Sequence, residues 1–344
     1  MESSSPPLAN LTPPLRPEPA RPVWRTPLQL ILSGVGPVIG LIFVTALFSL
    51  SNEVRPYFYT GANFKIILTQ SVVVAVGALG MTLIIISGGI DLSVGASVAL
   101  ASVIGAKLLA AGQPPWVAVT ATLLAGGLVG LINGTLIAAC RMMPFIVTLG
   151  MMGVARGAAK WLADNQTINP PETVVSSLMA QLSPTTLWPL PRGVWLTLAL
   201  ALALAVLLRQ TVFGARVFAL GSNEATARLC GIHVGRQKAV IYTLAGLFFG
   251  LAGLLQLSRL TQGDPTVAVG LELDVIAAVV IGGASLSGGC GSLGGSLVGA
   301  LLMAVLRNGS NQMGWPTYVQ EILIGVVIVI AVGLDQLRRA RARR

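Results

Sequence analysis

Ten apolar runs, each close to the length of a membrane-spanning helix, recur along this chain. Hydropathy places them at about 28–50, 65–86, 92–111, 116–139, 143–160, 193–208, 239–258, 273–285, 292–308 and 318–335. A helix of about 20 apolar residues crosses the hydrocarbon core of a bilayer. Charged residues make up only 10% of the chain against 54% hydrophobic, where a soluble domain carries roughly a quarter charged. The expected fold is therefore an all-α polytopic membrane protein of about ten transmembrane helices. The run at 273–285 is the shortest and its glycines make it the weakest span.

The net charge of +10 raises the question of a nucleic-acid partner. The basic residues sit in tails and short connections, without a basic stripe interleaved with aromatics, so nucleic acid is not expected. With both termini placed in the cytoplasm, the inside segments hold 14 of the 22 Lys and Arg, among them Arg141, Arg209, Arg216, Arg228, Arg236 and Lys238. This bias supports an even number of spans with both ends inside. Residues 1–25, rich in proline, are expected to form a disordered cytoplasmic tail, residues 26–337 the transmembrane domain with a cytoplasmic loop at 209–238, and residues 338–344 a basic cytoplasmic tail. The apolar run after Arg25 is too long for a signal peptide and lacks a small-residue cleavage site, so the first span is expected to be retained.

Catalytic motifs are missing. No lysine follows a glycine, so a phosphate-binding GxxxxGK loop is absent, and there is no GxSxG or HExxH. Cys140, Cys230 and Cys290 are widely spaced, and the lone His233 cannot complete a metal site with them. The chain is not expected to be an enzyme or to bind a cofactor. Uphill transport would then draw on an ion gradient or on another subunit.

Two polar stretches stand out. In Ser87-Gly88-Gly89-Ile90-Asp91-Leu92-Ser93-Val94-Gly95 an acid-bearing glycine break separates two spans. The charge map puts it at the cytoplasmic face, where Asp91 either caps the following helix or takes part in gating with Gly88, Gly89 and Ser93. The triplet recurs as Ser287-Gly288-Gly289, which reads as separate use of one turn chemistry rather than as a repeat. The second stretch, Gly221-Ser222-Asn223-Glu224-Ala225-Thr226-Ala227-Arg228-Leu229-Cys230-Gly231, predicts a two-turn helix with Ser222 or Asn223 as N-cap, Glu224 and Arg228 at i,i+4, and Gly231 at its end.

Further polar residues lie in or near the spans. Asn133 reads as a bond across helices or a contact to cargo. Arg156 and Lys160 read as snorkelling side chains or a path lining. Glu272 and Asp274 read as acids at the outer start of a helix, or as partners of Arg259 at an outer mouth. Asn308, Asn311, Gln312 and Gln320 cluster at the outer end of the last two spans and can meet a delivery protein or hydroxyl groups. Gly126, Gly127, Gly130 and Gly134, with Gly294, Gly295 and Gly299, predict close helix packing, and Gly127→Leu is expected to hurt assembly.

Taken in order, several motifs resemble the permease subunits of bacterial ABC importers for monosaccharides, the ribose/xylose/galactofuranose type. They are Gly80-Met81-Thr82 with the 87–95 break, Gly130-Leu131-Ile132-Asn133-Gly134, Pro144 to Gly150, Ala155-Arg156-Gly157, Gly221 to Ile232, Glu272-Leu273-Asp274 through Gly283, and Ser287-Gly288-Gly289. The resemblance covers about residues 65–335. It implies a type II importer fold and import of a pentose or hexose across the inner membrane by alternating access. It also implies a second permease, a cytoplasmic ATPase that uses ATP and Mg, and a periplasmic sugar-binding protein. The 221–232 helix then looks like the coupling helix. Cys230, Cys290 and the Cys140-Arg141-Met142-Met143 lead-in depart from the family pattern. A gradient-driven carrier using Asp91, Glu272 and Asp274, or an ABC permease for a non-sugar solute, stays open as an alternative.

Overall fold

The computed structural model describes residues 27–52, 54–179 and 190–342. The expectation for the tail at 1–25 falls outside them. All ten expected spans are helices: α1 (Pro27–Ser49), α3 (Gly61–Ile86), α4 (Val94–Ala110), α5 (Pro115–Ala139), α6 (Pro144–Leu162), α7 (Arg192–Gln210), α10 (Val234–Leu260), α11 (Leu271–Ile281), α12 (Leu293–Gln312) and α13 (Thr317–Ala342). Three short helices join them: α2 (Arg55–Phe58), α8 (Val212–Ser222) and α9 (Glu224–Leu229). The segment expected as a basic tail from 338 continues α13 as far as Ala342.

Helices α3 and α10 form the centre. Val72–Ile86 of α3 is buried on every face, which is why its apolar residues show no one-sided stripe. Outward faces carry Leu124, Leu128, Phe145, Val154, Leu198, Leu202, Ile322 and Val329 exposed. Lipid or a further membrane subunit can cover such a surface, and water cannot.

Small residues set the seam between α5 and α10. A side chain at Gly126 would meet the Gly246 carbonyl and the Gly250 backbone, and one at Gly130 the Tyr242 carbonyl. Gly134 lies against Ala239 in the same antiparallel row. The i,i+4 spacing puts all three on one face, where backbones can approach closely. Gly127 faces only the tip of Leu247, so the expectation that Gly127→Leu breaks assembly moves to Gly126 and Gly130. The α11–α12 seam uses Gly282 against Gly295 and Ala278 against Gly299, while Gly294 has open space around it.

Two expectations about depth are corrected. Gly77 packs against Val94 and Val275, about 24 Å along α3 from Gly61. The break begins at the end of the bundle, where Gly88 is exposed beside Gly221, and then climbs back between helices, so that Asp91 is buried and α4 starts inside the bundle. Hydropathy marks such a polar stretch as a surface loop, but the glycine turn lets the chain re-enter. Helix α11 has 11 residues and reaches only about 16 Å, half of a bilayer's ~30 Å core. Its Val275, one turn in, lies at the level of Gly77, so Glu272 and Asp274 lie inside the bundle and not at the helix ends that form an outer mouth. The segment 261–270 enters from the end where Gly263 pairs with Ile168.

Candidate functional site

Three features carry the chemistry: a surface at one end, a polar knot inside the break, and a polar cavity that runs toward the opposite end of the bundle, where Leu260 and Asn311 line it.

At the first end, Thr211 caps α8 by accepting from Gly214 N, and Asn223 caps α9 by accepting from Thr226 N at 3.0 Å. The cap is Asn223, and Gly221 with Ser222 closes the preceding helix, an element the sequence did not predict. Gly231 ends the turn with φ of 81°, a left-handed conformation suited to glycine. Glu224 accepts from Lys238 Nζ at 2.7 Å and from Arg228 Nη2 at 3.2 Å. The first bond ties α9 to the start of α10. That bond, with the charge of Lys238 and Arg228, holds the Glu224 carboxyl below its ordinary range. It stays ionised at neutral pH, and the pairing is lost only as pH falls through that lowered value. Ala225 is exposed and Leu229 is 89% exposed. A cleft of about 840 Å³ beside α9 is lined by Arg141, Arg228, Arg236, Lys238 and Glu224.

Gly221 faces inward. A side chain there would meet the Ile86 carbonyl and Gly289 N, and Gly289 N donates to Ile86 O at 2.8 Å. Gly88 and Gly288 sit at the same junction with φ of 85° and 81°. The two Ser-Gly-Gly turns, read from sequence as unrelated, touch each other and α8. The two turns and α8 therefore form one set of backbone contacts.

Inside the break, Asp91 is 1% exposed. Its Oδ1 accepts from Ser93 N at 2.7 Å and Ser93 Oγ at 2.6 Å. Asn133 Nδ2 donates to Ser93 Oγ at 3.0 Å and to Asp91 Oδ2 at 3.3 Å. Asp91 thus closes the turn ahead of α4, whose N-cap residue is Ser93, and Asn133 makes the bond across helices. Gly89 packs on the Tyr242 hydroxyl, which places the knot beside α10.

Of the remaining residues, Arg156 does not snorkel. Its Nη1 donates to the carbonyls of Val267 at 2.6 Å and Pro265 at 3.1 Å, pinning the re-entrant 261–270 segment. Lys160 is exposed. Glu272 accepts from Gly270 N at 3.3 Å. Asp274 pairs with Arg307, not Arg259: Oδ2 accepts from Nη2 at 2.7 Å and Nε at 2.8 Å. Asn308 accepts from Gln312, which also donates to Asn63, and Gln320 donates to Asn311 and the Trp315 carbonyl. Asn308 and Gln320 stitch helix ends together away from Asp91.

A cavity of about 440 Å³ lies between α3, α10, α11 and α12. Gln70, Gln256, Arg259, Asp274, Arg307 and Asn311 supply its polar lining. Sequence reasoning missed Gln70, Gln256 and Arg307 as a group, and Leu229 at the other site. One signal was present: an arginine following Met303-Ala304-Val305-Leu306, since an ionisable group inside a span marks a functional position by default. No cluster of His, Cys, Asp and Glu among the described residues could hold a metal ion.

Comparison with known proteins bears on both sites. A family profile described as branched-chain amino acid transport system / permease component matches residues 63–332. The ribose import permease protein of Escherichia coli K12 is 38% identical over 299 residues, 87% of this chain and 93% of that protein. That of Bacillus subtilis 168 is 40% identical over 90% of this chain and 95% of its own length. The L-arabinose ABC transporter permease protein of Azospirillum brasilense is 35% identical over 89% and 88%, respectively. No solved structure matches the chain.

Proposed function

Because the chain belongs to the permease family of branched-chain-amino-acid-type transport systems, we propose that it is the membrane subunit of an ATP-driven importer whose cargo is a monosaccharide. Relatives matched over 84–93% of their own length include ribose, L-arabinose and fructose permeases. The chain itself does no bond chemistry. A cytoplasmic ATPase consumes ATP and Mg, a periplasmic binding protein delivers the sugar, and a second permease, identical or homologous, completes the path. The protein then sits in a bacterial inner membrane with α9, the start of α1 and the end of α13 on the cytoplasmic side, in line with the positive-inside bias.

The observation that carries the mechanism is α9. It is a short capped helix pinned to α10 by Glu224 and Lys238, presenting the exposed Leu229 at a basic end of the bundle. A partner that closes on ATP pushes α9. The push reaches the 87–95 break through Gly221 and its junction with Ile86 and Gly289. Glu224→Arg puts three cations together. The exposed pair itself is worth about 0.2–1 kcal/mol, so folding and insertion are expected to survive. Co-purification of the ATPase and sugar-stimulated ATP hydrolysis are expected to be lost. Normal stimulated hydrolysis in that variant would sink the assignment of α9.

The cargo is tested in proteoliposomes holding the chain, its ATPase and its binding protein. ATP-dependent uptake of ribose, arabinose or fructose is expected. The profile's description names an amino-acid system, so leucine is the control cargo. Uptake by the chain alone, abolished by an uncoupler, would point to a gradient-driven carrier instead.

A further inference from the structure

The basic cleft beside α9 continues into an apolar groove. Arg236 lines the cleft and also heads a groove of about 440 Å³ along the seam of α5 and α10. Val240, Thr243, Leu244 and Leu247 of α10, with Leu131 of α5, line the rest of it. The α10 positions follow Arg236 at helical three- and four-residue steps, so they share one face. From Arg236 to Leu247 the helix rises about 16 Å, one leaflet's share of a ~30 Å hydrocarbon core. Leu131 is 44% and Val240 43% exposed, so the groove opens outward from the bundle.

At the head of the groove the charge is unbalanced. Glu224 is taken up by Lys238 and Arg228. Arg141 and Arg236 line the same cleft and are exposed. Among the described residues no carboxylate pairs with either of them. A smaller hollow on another flank of Arg236 adds Arg216, and neither that hollow nor the groove is lined by an acid.

We propose that cleft and groove together seat one anionic phospholipid, its phosphate held by Arg141 and Arg236 and one acyl chain lying along α10 as far as Leu247. The proposal rests on the reading that puts α9 in the cytoplasm, which sets the site in the inner leaflet. Basic pockets at the cytoplasmic ends of membrane helices suit anionic headgroups. A soluble partner can meet the arginines, but it cannot fill an apolar groove that runs a leaflet deep. A second copy related by a two-fold axis along the membrane normal keeps like ends together. It would bring a second Arg236 to the same level with no acid on the groove to meet it. A phospholipid presents negative charge and then an apolar chain, in the order in which the site receives them. The bound lipid ties the connection at Arg141 to the start of α10, beside α9.

The whole chain in detergent is titrated with phosphatidylglycerol, with phosphatidylcholine of the same acyl chains, and with inorganic phosphate. Native mass spectrometry counts bound lipid, and the thermal midpoint is followed alongside. One phosphatidylglycerol per chain is expected to bind ahead of phosphatidylcholine and to raise the midpoint, as a ligand of the folded state does. Phosphate alone is expected to leave the midpoint unchanged. Arg141→Gln with Arg236→Gln is expected to weaken phosphatidylglycerol binding about fivefold for each cation removed. Val240→Trp fills the groove, keeps every charge, and is expected to weaken the same binding at least as much. Equal binding of the two lipids, unchanged affinity in the variants, or a full midpoint shift with inorganic phosphate overturns the site. Loss of ATPase co-purification in the arginine variant, with phosphatidylglycerol affinity unchanged, would give the cleft to the ATPase. A chain dimer dissolved by Val240→Trp, again with affinity unchanged, would give the groove to a second copy. If one variant is not recovered folded the other decides, and loss of both overturns the assignment. The titration contains neither sugar nor ATPase, so its failure leaves the importer reading standing. Absence of sugar uptake by the complete complex overturns that reading and leaves the lipid count untouched.

Discussion

Gly130→Val is expected to abolish recovery of folded protein from detergent extracts, while Gly127→Leu next to the same seam leaves it largely intact. A side chain at Gly130 would overlap the Tyr242 carbonyl and reach within 3.0 Å of the Gly246 Cα. Those obstacles are backbone, so neither can rotate away. The helices must separate, and the row of contacts from Gly126 to Gly134 opens with them. Overpacking a core costs roughly 1–3 kcal/mol and at times more, and forcing two backbones apart belongs at the upper end. At Gly127 the obstacle is the end of Leu247, which has other rotamers. Monodisperse yield on size exclusion and the thermal midpoint of the solubilised protein check the contrast. Equal damage at the two positions would show that the seam is not set by backbone contact.

Asp274→Ala is expected to lower the thermal midpoint by a different route. Removing the carboxylate leaves Arg307, which is 32% exposed at its side chain, without its partner at 2.7 Å. Breaking a fully buried pair from one side costs roughly 3–5 kcal/mol, and the partial exposure of Arg307 puts this loss below that range, whereas replacing both members by apolar groups of similar volume is often close to neutral. The double change Asp274→Leu with Arg307→Met is therefore expected to regain most of the lost thermal stability. A double variant as unstable as the single one would mean that Asp274 works through contacts other than Arg307.

Helix existence was legible in the sequence, because span length and apolarity follow directly from bilayer thickness. Depth was not. Asp91 looked like a surface residue since a carboxylate in a glycine-rich break is normally solvated; its bonds to Ser93 are local, two residues on, but nothing in the spacing announced Asn133 as a partner across 42 residues of chain. Glu272 and Asp274 were placed at an outer mouth because an assumed full span followed them. The α11 run is apolar enough to be read that way and only its length, 11 residues, denies it. At the coupling surface the Asn223 cap, the Glu224–Arg228 pair and the Gly231 stop were readable, being local chemistry. Lys238 and the junction of the two Ser-Gly-Gly turns at Gly221 needed tertiary contacts that no spacing rule supplies. The same holds for Asp274 choosing Arg307 over Arg259.

Helix α11 also bears on how the chain gets into the membrane. A translocation channel that releases spans one at a time into lipid works on segments long enough to cross it. The 11 residues of α11, preceded by the re-entrant 261–270 stretch, cannot hold a transbilayer position alone, and their seat against Gly282–Gly295 and Ala278–Gly299 requires α12 to be present. This part of the protein is therefore expected to settle only once α12 has been made. A nascent chain cut between α11 and α12 has no stable place for either half of the cavity wall, and a topology reporter fused at that point would record the cut and not the protein.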